Sequence, residues 1–149
     1  MENDPGNSYW HSRRYLPHFE SQNHIQHVTI RLADSIPSEL REKAEEELES
    51  FPREKQPSER RKRLEDILDS GYGSCIFRNP ASAQVLQEEL LHFRDDRYEL
   101  MAWVIMPNHA HILFRPMNNW KVAKILGTWK KWSARRIGKN ADLVIGAPG

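Results

Sequence analysis

Two histidines one residue apart, His109 and His111, carry the clearest chemistry in this 149-residue chain. They lie in HAHILFR (109–115), which reads as a strand. Because strand side chains alternate, both imidazoles share one face while Ala110 points to the other, with their Cα atoms about 6 to 7 Å apart. Two ring nitrogens can then reach one ion. Imidazole suits zinc, manganese, nickel and copper, and a site completed by oxygen donors also admits a harder divalent ion of the kind that polarises phosphate. The competing reading is a pair of polar residues facing water. Asn108, just before the pair, serves the Pro107-Asn108 turn or bonds a ligand imidazole. His24 and His27 are three apart in a strand-like segment, face opposite sides and form no joint metal site on that reading. The single cysteine, Cys75, excludes a disulfide framework and a cysteine-rich zinc site, and reads as a small core residue.

The elements that must position these residues follow from pattern and punctuation. Residues 1–22 mix Gly, Pro, Ser and Asn with aromatic and basic groups, lack helical or strand periodicity and read as an arm. The main domain runs over 23–138. HIQHVTIRL (24–32) predicts a first strand, closed by the turn-like ADSIPS. Ser38 reads as the N-cap of a helix that continues through a Glu-rich stretch to Pro52. Within 53–69, Pro57 separates a loop from a second helix with Leu64, Ile67 and Leu68 inward and its charges solvated. GYGSCIF (71–77) predicts a turn and a short strand. Asn79-Pro80 opens a helix to about Arg94, with Val85, Leu86, Leu90, Leu91 and Phe93 on its apolar side.

YELMAWVIM (98–106) is nearly continuously apolar, which predicts a strand buried on both faces near the middle of a sheet. A tight hairpin joins it to the histidine strand. Asn119 reads as the cap of a helix from Trp120 to about Ile137, with Val122, Ile125, Trp129, Trp132 and Ile137 along its apolar side. Lys121, Lys124, Lys131 and Arg135 line another side. Residues 139–149 read as a tail.

An apolar content of 38% suits one packed core, and 29% charge without a long apolar run excludes a membrane span. The polar start lacks the apolar stretch of a secretory signal, so a reducing, cytoplasmic setting is expected. Net charge is +1 overall, but Ile112 to Gly149 holds eight basic residues against one acid, Asp142. Such a region either meets phosphate or is a solvated face. The last helix combines its cations with Trp120, Trp129 and Trp132. Phosphate neutralisation together with stacking surfaces is the pairing expected of single-strand binding, and the tryptophans are also core candidates.

The segment AWVIMPNHAHILF resembles the His-hydrophobic-His strand of the HUH endonuclease superfamily, in particular the IS200-type single-tyrosine transposases. SRRYLPH, HVTIRLADSIP, GYGSCIFRNP and LLHFRDDRYELMAWVIMPNHAHILF, with the Trp/Lys helix, are similar to the REP-associated tyrosine transposases. The resemblance covers nearly the whole chain. It implies an α+β fold, a ferredoxin-like antiparallel sheet backed by helices, with His109 and His111 holding a divalent metal, Mg or Mn. The implied partner is single-stranded or hairpin DNA, met by Lys121, Lys124, Lys131 and Arg135 and by Arg13 and Arg14 of the arm, with a second copy of the chain as a further partner. The implied reaction is DNA strand transfer, in which the metal polarises a phosphate and a helix-borne tyrosine attacks it to form a 5′-phosphotyrosyl link. The family's tyrosine lies downstream of the basic helix, whereas Tyr9, Tyr15, Tyr72 and Tyr98 all precede the histidines. Tyr98 reads as a packed or edge aromatic. The expectation is a metal-binding half-site in a chain truncated before its catalytic helix, and the alternative is a DNA-binding remnant that has lost its chemistry.

Overall fold

Alternation in β3 (Gln26–Leu32) buries Val28, Ile30 and Leu32 on one side and turns His27, Thr29 and Arg31 to the other. The computed structural model describes the backbone of Tyr9–Arg13 and Leu16–Glu20, and residues 24–138 and 143–146, with backbone alone at 145–146. Before β3, β1 (Tyr9–Arg13) and β2 (Leu16–Glu20) pair antiparallel as a sheet of their own. The sequence predicts an irregular arm there. Two strands separated by two residues can join through main-chain hydrogen bonds without a buried apolar face, so no alternation marks them.

After β3 come α1 (Ser38–Leu48), α2 (Gln56–Asp69), a 3-10 turn at Ile76–Arg78, α3 (Pro80–His92), β4 (Tyr98–Ile105), β5 (His109–Pro116), α4 (Val122–Ile137) and β6 (Leu143–Gly146). The main sheet runs β4-β5-β3-β6 with every pair antiparallel. With α3 and α4 as the crossovers, the order is β-α-β-β-α-β, the expected ferredoxin-like arrangement of an α+β fold. Those two helices cover one face. Leu86 and Leu90 of α3 and Val122, Ile125, Leu126 and Trp129 of α4 pack on Val28, Ile30, Ala110, Ile112 and Phe114. Trp129 meets Tyr98 and Phe114 edge to face, with centroids 5.0 and 4.9 Å away. No helix among the described residues is long and apolar enough to cross a membrane.

The structure corrects several expectations. β4 is an edge strand, not a central one, and Met101, Trp103 and Val104 are exposed. Its register slips between Leu100 and Ala102, and its apolar run is continuous although only one face is covered. The tail contributes β6, which pairs with β3 and buries Leu143, so β3 and β5 are the central strands. Pro37, not Ser38, stands at the cap of α1, which stops at Leu48 rather than Pro52. Asn118 and Asn119 both adopt left-handed φ, +54° and +63°, and make the turn that lets α4 begin later with Lys121 at its cap. Where 71–77 predicts a strand, Cys75 at φ +50° starts the 3-10 turn, and Phe77 N–H donates to Pro107 O at 3.1 Å. Asn79 does cap α3, its side-chain oxygen accepting from Ala81 N–H at 3.0 Å.

Candidate metal centre and basic face

β5 is flanked by β3 and β4, so the backbone of both histidines is held from two directions. Arg31 stands opposite His109 on β3, and Thr29 and Val104 stand on either side of His111. Ala110, Ile112 and Phe114 point into the core, which puts the two imidazoles on the sheet face away from α3 and α4. Their rings meet edge to face with centroids 5.1 Å apart.

His109 is only 1% exposed, and a chain of hydrogen bonds fixes its proton. The Asn108 amide nitrogen donates to the Tyr72 carbonyl at 3.1 Å, which turns the amide oxygen toward His109 Nδ1, 2.7 Å away. Nδ1 therefore carries the hydrogen and Nε2 is the open nitrogen. Burial pushes the His109 pKa below its ordinary value, the neighbouring His111 adds to this, and Asp69 opposes it. The neutral ring that results is the form that binds metal. On its open side, Nε2 lies 3.7 Å from an Asp69 carboxylate oxygen.

His111 is engaged through the same ring atom. Its Nδ1 lies 3.2 Å from Thr29 Oγ1 and 3.2 Å from His27 Nε2. Burial lowers the His27 pKa first, followed by repulsion from His111, with Glu65 opposing and Arg61 adding. Arg61, Glu65 and Asp69 follow one another at helical spacing of four on α2, so one side of that helix faces the histidines. The end of α2 is anchored by the loop after it. Gly73, at φ +90°, runs so close to Asp34 that an added Cβ would stand 2.6 Å from its carbonyl oxygen. Ser74 N–H donates to the Asp34 carboxylate at 2.8 Å.

Both imidazoles are thus engaged through Nδ1, an arrangement in which a protein orients histidines toward a metal through Nε2. Among the described residues no three His, Cys, Asp or Glu side chains already converge as a metal site. The donor set fits two imidazole nitrogens on one ion with its remaining positions open to oxygen.

The basic residues lie elsewhere. Because α4 packs on the opposite face of the sheet, exposed Lys124, Lys131 and Arg135 and half-buried Lys121 are not brought to the histidines. Trp132, expected on the apolar side, is 43% exposed, and the charged ends of Lys131 and Arg135 each sit 5.4 Å from its ring centre. Arg136 is spent on ion pairs with Glu88 and Glu89 of α3. Trp129 is core: its indole N–H donates to Tyr98 Oη at 2.9 Å, and that hydroxyl donates to Leu90 O at 2.6 Å. Burial pushes the Tyr98 pKa up. Tyr98 is a packed residue on the face away from the histidines. Arg13 ends β1 opposite Leu16, and Arg14 lies outside the described residues.

His27, Thr29 and Asp69 are neighbours that the sequence reading does not join to the site. Alternation in β3 gives the face shared by His27 and Thr29, but only the pairing of β3 with β5 places that face beside His111. Nothing in α2 alone marks Asp69.

A family model described as "Transposase IS200 like" matches residues 71–145, half of the chain. No curated protein and no solved structure gives a significant match.

Proposed function

Because the chain belongs to the IS200-like transposase family, we propose that it engages single-stranded or hairpin DNA and holds a divalent ion, Mg or Mn, on His109 and His111 against a phosphate of that DNA. The observation that carries the reading is the pair of imidazoles on one sheet face, each already engaged at Nδ1. When bound, the ion supplies Lewis acidity to a phosphate oxygen. Asn108 fixes the tautomer of His109, Thr29 and His27 orient His111, and burial keeps His109 neutral. In the complete reaction a tyrosyl oxygen bonds the phosphorus, the 3′ oxygen of the broken phosphodiester leaves and takes a proton, and a 5′-phosphotyrosyl link remains. Tyr98 is ruled out of that role by its burial. The arm motif SRRYLPH favours the REP-associated type within the family, acting in the cytoplasm.

Among the described residues no strand pairs with the outer side of β4, and that edge, with exposed Met101 and Val104, is the surface we propose for pairing of two copies.

Titration calorimetry with Mn²⁺ tests the metal reading. His109→Ala and His111→Ala should each weaken binding at least about tenfold. A double variant that binds as the parent does would overturn it.

A further inference from the structure

We propose that Asp69, at the end of α2, supplies the third protein ligand to the ion held by His109 and His111. The proposal rests on the metal reading above and adds a residue from outside the segment matched to the family, 71–145.

The orientation of Asn108 is the starting point. Its amide nitrogen is committed to the Tyr72 carbonyl, so the hydrogen of the His109 ring sits on Nδ1 and Nε2 presents a lone pair. What faces that lone pair, 3.7 Å away, is a carboxylate oxygen. Two acceptors aimed at each other repel unless a cation lies between them. Donors each about 2.1 Å from one ion stand about 3.0 Å apart at a right angle and about 4.2 Å apart across the ion. The observed separation falls inside that span.

A second observation points the same way. Asp69 is the last residue of α2, where the helix carries partial negative charge, so a carboxylate there is unfavourable without a cation. The position is nevertheless held firmly. Ser70 N–H closes on Asp66 O at 3.2 Å, and two residues further on the Tyr72 carbonyl is tied to Asn108. The Asp69 side chain itself is 63% exposed and can turn onto an ion without breaking the core. His27 is a positioning residue, since it contacts Nδ1 of His111 and so stands behind the ligand ring. A carboxylate beside two imidazoles shifts the site toward the harder ions, Mn²⁺ and Mg²⁺, over Zn²⁺.

The test is calorimetric titration of the 149-residue chain with MnCl₂ and, separately, ZnCl₂, with circular dichroism to verify folding. Asp69→Ala should weaken Mn²⁺ binding about 10- to 100-fold and Zn²⁺ binding less. Asp66→Ala removes the same charge from the same helix and should change Mn²⁺ binding less than about twofold. Asp69→Asn keeps the side-chain shape and should follow Asp69→Ala. Equal losses in the Asp66 and Asp69 variants would overturn the proposal, reducing it to diffuse charge attraction. Parent-like binding by Asp69→Ala, with His109→Ala still defective, would overturn it and leave the two-histidine site standing. A parent chain that takes up no Mn²⁺ would overturn both.

Discussion

Asn108 uses both ends of its amide, donating to Tyr72 O and accepting from His109, while fully enclosed between the loop after α2 and the start of β5. Its two candidate roles, turn residue and imidazole anchor, meet in this one position. Removing the amide takes a donor from the Tyr72 carbonyl and frees a buried ring. Asn108→Ala should therefore lower unfolding stability by about 1 to 3 kcal/mol in urea titrations and weaken Mn²⁺ binding about 10-fold or more. Asn108→Asp isolates the orienting effect. It keeps an acceptor for His109 Nδ1 but turns an oxygen toward the Tyr72 carbonyl, so stability should fall while metal binding is the better preserved of the two properties. If the alanine variant lost stability but kept parent affinity for Mn²⁺, Asn108 would be a structural residue only.

At the level of elements, the outer side of α4 gathers Lys131, Arg135 and an exposed Trp132 into one patch. Cations there would release counterions from a phosphate chain, and the indole offers a face to an unpaired base. Charge reversal at Lys124, Lys131 and Arg135 should flatten the fall of oligonucleotide affinity with salt in fluorescence anisotropy, and Trp132→Ala should cost about 1 to 3 kcal/mol of binding without changing the slope. A slope unmoved by charge reversal would make the stripe a solvated face. The sequence shows the existence of α4 and its two sides plainly, because period and charge agree over sixteen residues. It misplaces Trp132, since its spacing from Trp129 puts both near one side while only Trp129 reaches the core. The histidine strand is legible through alternation. β4 misleads because apolar composition reports what a strand can bury, not which neighbours cover it, and β6 is missed because four residues carry too little periodicity to register. His27 and Asp69 escape for a different reason: their place beside the histidines is set by register and by a loop tied to Asp34, contacts between residues far apart in the chain.

Across the whole molecule, one sheet separates two surfaces of different character. Its histidine face carries ring nitrogens with Arg61, Glu65 and Asp69 of α2, and its helical face carries α3 and the cations of α4. The division also sets a ruler for substrate. A strand that touches the outside of α4 and also reaches His109 must pass around a helix about 10 Å across and a sheet layer of similar depth. At about 3.4 Å per stacked nucleotide, that path is on the order of six nucleotides long. Shorter pieces can occupy one face at a time, so the thickness of the fold itself measures the length of DNA that can link the two surfaces.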